Sequence, residues 1–220
     1  MSDIGKWFCI NIMNIIQSLS IIIAAFVAGY SINAWRRELK GQREWEVSEQ
    51  TLALIYECKD NLQFIRSPFG FSGEGQTRIR KPDETEDESK AFDQAYVLIE
   101  RYEKVKDSFI KLQSIKYKFM AIFWKEKKEI AEQFKEVNGI MNELFLAAKW
   151  LGSRYWNPKY QDKSERDPNW GKRLLEYEAK FYSGWEPDII AKRMDDVVDR
   201  IESICSKIIL GKKVKKRMQE

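Results

Sequence analysis

The chain has 220 residues, of which 44% are apolar and 33% are charged, and its formal net charge is +4. This length suits one or two domains, and a single core is the simpler interpretation. Histidine is absent, and histidine is both the commonest metal ligand and the usual general base near neutral pH. We therefore exclude metal-centred and histidine-based catalysis. Cys9, Cys58 and Cys205 stand apart within apolar patterns, which is typical of buried thiols in a reducing compartment.

A long uncharged stretch lies near the N-terminus, between Trp7 and Trp35. Its length is enough to cross a hydrocarbon core about 30 Å thick. A secretory signal peptide has a basic start and a small-residue cleavage site, whereas Asp3 precedes this stretch and Arg36 and Arg37 follow it. We therefore expect an uncleaved transmembrane helix over 7–35, after a short external N-terminus at 1–6.

The charges that flank this stretch predict its orientation. Lys6 stands on the N-terminal side, whereas Arg36, Arg37, Lys40 and Arg43 stand on the C-terminal side. Short flanks follow the positive-inside rule. We expect a single-pass protein of the bacterial inner membrane, with the N-terminus outside and a cytoplasmic domain over 36–210.

One face of the predicted transmembrane helix combines polar and small residues, namely Asn11, Asn14, Ser18, Ala25 and Gly29. Polar groups in lipid require partners, and small residues at a spacing of four allow helices to approach closely. This face is the candidate contact for a homo-oligomer. Alternatively, a long tilted helix places the same polar residues near the outer interface, with no partner helix.

Apolar residues at steps of three and four predict four amphipathic helices after the anchor. The first ends at Arg66, before Ser67-Pro68, and the second opens with a capping box at Thr85–Glu88. Their predicted buried stripes are Val47, Thr51, Ile55, Cys58, Leu62 and Ile65, then Phe92, Tyr96, Ile99, Tyr102, Phe109, Leu112, Phe119 and Phe123.

The third predicted helix follows a turn at 124–127 and ends at Gly152, and the fourth begins at Pro187. Their stripes are Ile130, Phe134, Val137, Met141, Leu144, Ala148 and Leu151, then Ile190, Met194, Val197, Ile201, Ile204 and Ile208. We predict an all-α fold in which the transmembrane helix continues into an antiparallel, four-helix-bundle-like cytoplasmic domain.

The C-terminal tail at 211–220 is strongly basic. An up-down-up-down bundle returns its last helix towards the membrane, where basic side chains meet anionic headgroups. Together with Arg36 and Arg37, the tail forms the candidate membrane-surface contact, through Lys212, Lys213, Lys215, Lys216 and Arg217. An ordinary solvated tail is the alternative.

A segment dense in turn-forming residues follows the first helix, at 66–78. Its strings I-R-S-P-F at 65–69 and G-E-G-x-x-R at 73–78 accompany W-R-R-E at 35–38 and G-W-x-x-D at 184–188. With these strings the chain resembles a family of bacterial single-pass membrane proteins that has no established activity. The resemblance implies an anchor with a helical domain, and nothing chemical.

Two interpretations of this segment remain open. Glycines around Glu74 are able to present backbone N–H groups to an anion, although the spacing matches no known phosphate-binding loop. We favour a structural loop that covers one end of the bundle. Arg66 and Arg78 are then expected to pair with Glu74 or to bind backbone carbonyls.

A second connection, at 153–186, is rich in aromatic residues that include Trp156 and Trp170. We expect it to fold back and to pack its rings on the bundle. Exposed aromatic residues also favour protein interfaces, so Trp156 and Trp170 join Arg66, Phe69, Glu74 and Arg78 as candidate interaction residues. Nucleic-acid binding is not favoured, because no basic groove accompanies the rings.

The last predicted helix carries a group of acidic residues, which we interpret as a solvated helix face rather than a metal site. They are Asp188, Asp195, Asp196 and Asp199.

Three function classes follow. The first is a membrane-tethered, non-enzymatic interaction or scaffold module that binds a cytoplasmic protein partner, with no catalytic, cofactor or metal site expected. The second is a membrane-perturbing effector of the toxin or antiphage type, whose transmembrane helices assemble into a leak. An enzyme or nucleotide sensor built on Gly73-Glu74-Gly75 is the least favoured class, because no recognised motif supports it.

Overall fold

The computed structural model describes residues 3–124, 126–163 and 167–210, without the side chains of 3–10, 127 and 161–163. The α-helices of this part are α1 (Asp3–Ile65), α2 (Glu86–Ile122), α3 (Lys127–Trp150), α4 (Trp170–Phe181) and α5 (Ile189–Ile209). A π-helical turn, Leu151–Tyr155, and a 3₁₀ segment, Pro158–Lys163, lie between α3 and α4. No strand occurs among these residues, so the all-α prediction is confirmed at that level.

The chain divides into two compact units between Glu46 and Val47. In the first unit, α1 contains an 18-residue window with a mean hydropathy of 2.0, none of which is buried. By length and composition this helix is able to cross a membrane. A signal sequence and the core helix of a soluble protein satisfy the same criterion, although a core helix is mostly buried.

In the second unit, the apolar stripe predicted for the end of α1 is confirmed. Its side chains are all buried, from Val47 to Ile65, and include the hydroxyl of Thr51, which donates to Val47 O at 2.7 Å. The helix ends at Ile65, just before Ser67-Pro68, because a residue that precedes proline is restricted from the helical conformation.

The capping box at the start of α2 is also confirmed. Thr85 Oγ1 accepts from Glu88 N at 3.3 Å, and Thr85 N donates to Glu88 Oε2 at 3.1 Å. The predicted stripe is buried from Phe109 onwards, whereas its first members, such as Phe92, are only half-buried. The core face of the first turns consists instead of Ala91, Ala95 and Leu98.

The prediction that the third helix ends at Gly152 is wrong, and the small residues of α2 explain why. The stripe of α3 is buried as predicted, but Gly152 does not end the helical path, which continues through the π-helical turn. A Cβ atom at Gly152 would lie 2.7 Å from Ala95 Cβ and 3.4 Å from Ala91 O. This glycine therefore permits the close approach of two helices and is not a C-terminal cap.

The start of α5 is a second correction. We expected Pro187 to be its first residue, but the helix begins at Ile189 and Asp188 is the N-cap. Asp188 Oδ1 accepts from Ala191 N at 2.9 Å, which satisfies one of the free donors of the first turn. The stripe of α5 is buried from Ile190 to Ile204, and Ile208 packs against the core as a half-buried residue.

Side-chain contacts show that α2 runs antiparallel to residues 47–65 of α1. Asn61 Nδ2 donates to Ser108 Oγ at 2.9 Å, and Arg101 Nη1 donates to Ser67 O at 2.6 Å. Moving along the chain from Asn61 to Ser67, just past the end of α1, the partner on α2 thus moves back from Ser108 to Arg101. The turn between α2 and α3 consequently lies at the end of this unit that carries Val47.

Side-chain contacts also place the C-terminal end of α5 at the end of the unit that carries Val47. Arg66 pairs with Asp188 at 3.0 Å and Lys59 pairs with Asp195 at 2.7 Å, whereas Cys205 lies beside Ser48. Residues 47–65 of α1 and the whole of α5 are therefore antiparallel as well.

Candidate functional site

Asn11, Asn14 and Ser18 line one shallow depression on α1, together with Ile15, Leu19 and Ile22. Positions three and four residues apart lie on the same side of a helix, which explains why these polar groups are neighbours. Ser18 Oγ donates to Asn14 O at 2.8 Å, so its hydroxyl proton is already used within the helix. The side chains of Asn14 and Ser18 are exposed.

The remaining candidate residues of the first unit are small or basic. Ala25 and Gly29 are exposed, and a Cβ atom added at Gly29 would meet no atom within 4 Å. Arg36 and Arg37 are exposed as well. The basic tail lies outside the described residues, from Lys212 to Arg217.

The connection from α1 to α2, at 67–85, is held against α2 by Arg101, which is only 3% exposed. Its guanidinium donates to Ser67 O at 2.6 Å, to Phe69 O at 2.7 Å and to Glu74 Oε2 at 2.6 Å. The hydrogen bond from Arg101 holds the pKa of the Glu74 carboxyl below its usual value. Of the two alternatives left open for Arg66 and Arg78, pairing with Glu74 does not occur, because Glu74 pairs with Arg101.

The glycine-rich turn of this connection already binds an anionic group of the chain itself. Gly75 N donates to Glu100 Oε2 at 2.8 Å, and Thr77 Oγ1 donates to the same oxygen at 2.9 Å. Gly75 has a φ of +82°, and a Cβ atom there would lie 2.0 Å from Asp93 O. Both the backbone conformation and the close approach to α2 therefore require glycine at this position.

Arg78 anchors the second half of the connection. It binds Glu84 through two hydrogen bonds of 2.8 and 2.6 Å, and it contacts Asp93 at 3.1 Å. Arg80 pairs with the second oxygen of Asp93 at 2.6 Å. The hydrogen bonds from Arg78 lower the pKa of Glu84 to about 2. Such two-pronged contacts between arginine and a carboxylate are short and geometrically specific.

Arg66 serves a different part of the fold. This side chain is 2% exposed and donates to the carbonyls of Ala179, Lys180 and Tyr182 at 2.8–3.0 Å. It also pairs with Asp188, so it joins the end of α1 to the end of α4 and the start of α5. Burial lowers the pKa of this guanidinium. The expectation that Arg66 binds carbonyls is met, but on the segment before α5 rather than on its own loop.

The aromatic connection folds back onto the core, as predicted. Trp170 is buried, with its ring centroid 4.7 Å from that of Tyr155. Trp156 is half-buried, donates from Nε1 to Glu178 Oε1 at 2.9 Å and meets Phe181 edge to face. Exposed apolar side chains lie on the connection at 67–85 instead, where Phe69 is 84% and Ile79 is 93% exposed.

The two cysteine side chains that the structure describes are unreactive. Cys58 and Cys205 are fully buried, and burial raises the pKa of each to about 12. Since the thiolate is the nucleophilic form, neither thiol is reactive near neutral pH.

Among the acidic residues at the start of α5 and along it, Asp188 and Asp195 are paired with Arg66 and Lys59. The described residues contain no cluster of three or more potential metal ligands.

Arg101 and Glu100 are the residues that sequence reasoning missed. Both lie on α2, far along the chain from the loop atoms that they bind. A local sequence pattern does not reveal the partners of such groups. However, Arg101 lies between Leu98 and Val105, on the face of the helix that the spacing of apolar residues assigns to the core. A charged residue at that position was the available signal, because buried charges require partners.

The chain was compared with protein-family models, with curated proteins and with solved structures, and none of them matches it.

Proposed function

We propose that this chain is a membrane-tethered interaction or scaffold module, with α1 as its anchor and the helical unit as its cytoplasmic part. The observation that carries the proposal is the apolar window of α1, whose mean hydropathy is 2.0 and of which no part is buried among the described residues. So much exposed apolar surface is stable in lipid and prone to aggregate in water. The continuation of α1 past Trp35 also argues against a cleaved signal sequence.

The proposed location is the bacterial inner membrane, with the N-terminus outside. Arg36 and Arg37 support this orientation, because basic residues near the end of a span stay on the cytoplasmic side. We further propose that residues 47–65 of α1 form an antiparallel four-helix bundle with α2, α3 and α5. The resemblance to bacterial single-pass proteins supports the same arrangement of anchor and helical domain.

A non-enzymatic role is supported by how the candidate loop uses its polar groups. The N–H of Gly75 binds Glu100, and the carboxylate of Glu74 binds Arg101. A phosphate or a substrate at this loop would have to displace these internal partners. We therefore propose a structural role for the loop and a protein partner for the module as a whole, without cofactor, metal or nucleic acid.

Membrane insertion and orientation are tested together in bacterial cells. We expect the full chain to stay in the membrane fraction after an alkaline carbonate wash. A periplasm-dependent alkaline phosphatase fused after Glu220 is expected to be inactive, whereas a fluorescent protein at the same place should be bright. An active phosphatase would overturn the orientation, and release by carbonate would overturn the anchor.

The polar face of α1 favours a second candidate, a membrane-perturbing effector of the toxin or antiphage type. Assembly of helices through Asn11, Asn14 and Ser18 would line a polar path through the bilayer. Interhelical hydrogen bonds in membranes contribute about 0.6–2 kcal/mol each. Replacing all three residues with leucine should therefore weaken self-association, while insertion is retained because leucine favours lipid.

Disulfide crosslinking through Cys9 in native membranes measures this self-association. The matched control is Ser20→Leu, since Ser20 points away from Ser18 on the helix and bonds its own backbone at Ile16 O. The control should crosslink as the wild type does, and the triple-leucine variant should not. Equal crosslinking of all three proteins would exclude this face as the contact. An intact membrane potential in cells that overproduce the wild type would exclude the leak.

A further inference from the structure

We infer that the helical unit carries its own lipid-binding surface, at the end where α2 meets α3. We call it the α2–α3 surface and define it by Tyr117, Lys118, Trp124 and Lys128. Its proposed ligand is an anionic lipid bilayer. The inference rests on the proposed membrane tether and adds a second, reversible contact to it.

Large aromatic side chains stand out from this end of the unit. Tyr117 and Trp124 are each 71% exposed. Lys116 Nζ lies 5.8 Å from the centre of the Tyr117 ring. Tyrosine and tryptophan concentrate at the boundary between lipid and water, because one end of each ring is apolar and the other is polar.

The lysines of the surface are exposed. Lys118 and Lys128 form no ion pair with a carboxylate in the described ranges, whereas Lys90, Lys104 and Lys106 each pair with an acidic residue on their own helix. Exposed cations without internal partners are free to meet an external anion.

Charge is distributed unevenly between the two ends of α2 and the segments that flank it. Residues 111–130 contain six lysines and two glutamates, whereas residues 83–88 contain five acidic residues and no basic one. The helix dipole accounts for the acidic first turn. It does not account for the lysines, because the dipole acts within the last turn and the last turn of α2 contains no basic residue.

The position of this surface in the chain favours a bilayer over other anions. The α2–α3 turn lies at the end of the unit that carries Val47, which follows Trp35 by a short stretch of α1. A covalent tether holds the surface at a high effective concentration next to the membrane. Near an anionic leaflet, each lysine strengthens binding by about fivefold. A nucleic acid would have to compete with a ligand that is always present.

Amine-reactive footprinting of the full chain in lipid nanodiscs tests the inference. Mass spectrometry measures the modification rate of each lysine in zwitterionic nanodiscs and in nanodiscs that contain phosphatidylglycerol. We expect Lys118 and Lys128 to be modified about fivefold more slowly in the anionic discs. Lys81, Lys172 and Lys192 are exposed elsewhere in the unit and are the internal controls, with unchanged rates.

Trp124→Ser and Tyr117→Ser keep every lysine and alter only exposed positions, so both variants should fold. They are expected to restore fast modification of Lys118 and Lys128 in anionic discs. Equal rates in the two lipids, or unchanged protection in both variants, would overturn the lipid surface while the tether stands. Protection by single-stranded RNA in zwitterionic discs, without protection by phosphatidylglycerol, would overturn it in favour of a nucleic acid. Release of the wild type from membranes by carbonate would overturn the tether and this inference with it.

Discussion

Arg101 provides three hydrogen-bonded contacts to the connection at 67–85 and neutralises the buried Glu74. Breaking a buried ion pair by removing one partner costs about 3–5 kcal/mol, because the other charge is left without compensation. We expect Arg101→Met to lower the free energy of unfolding by that amount, measured by urea denaturation in detergent micelles. Arg200→Met, at an exposed position, should change it little. If both variants are equally stable, Arg101 does not hold the loop.

Glu84 makes stability dependent on pH. Its pKa is lowered from 4.5 to about 2 by hydrogen bonds from Arg78. A carboxyl whose pKa is lower in the folded state stabilises the protein above its unfolded pKa, and this stabilisation is lost as the pH falls through the folded pKa. The free energy of unfolding should therefore decline from pH 4.5 to about 2. Glu84→Gln should decline less steeply, and parallel curves for the two proteins would contradict the coupling.

Two glycines allow a comparison at the level of the helix. Alanine at Gly152 would place its Cβ atom 2.7 Å from Ala95 Cβ, and overpacking of this kind costs about 1–3 kcal/mol. Gly139, on the same helical path, has no neighbour closer than 3.9 Å. Alanine there should stabilise the helix by about 0.5–1 kcal/mol, because glycine is the poorer helix former. Thermal unfolding should give shifts of opposite sign, and shifts of the same sign would refute the packing role of Gly152.

The helices of the second unit were predictable because their signals are local. Apolar spacing gave the buried stripes of α3 and α5, and Thr85 with Glu88 gave the start of α2. The roles of Gly152 and Pro187 were predicted wrongly. Glycine near a helix end occurs both as a C-terminal cap and where two helices approach closely. Proline occurs both in the first turn of a helix and in the loop before it. The partners of Arg66, Glu74 and Arg78 were not predictable, because they depend on contacts between distant segments.

The hydrophobic core of the described chain begins at Val47 and draws residues from α1 through α5. A fragment of residues 44–210 therefore retains every side chain of that core. We expect it to fold without the apolar part of α1, with a helix-dominated circular dichroism spectrum and a cooperative thermal transition. A spectrum with substantial strand content, or a melt without a transition, would contradict the independence of this unit.

The connection at 67–85 combines exposed side chains with an engaged backbone. Phe69 and Phe71 project into solvent, while Phe69 O accepts from Arg101, Phe71 N donates to Glu74 and Phe71 O accepts from Glu74 N. A protease must pull a segment of backbone into an extended form before it can cut, and here several hydrogen bonds oppose that step. Chymotrypsin would thus recognise both phenylalanines in the native protein yet cleave beside them slowly, and loss of Arg101 would turn the same surface into a preferred cleavage site.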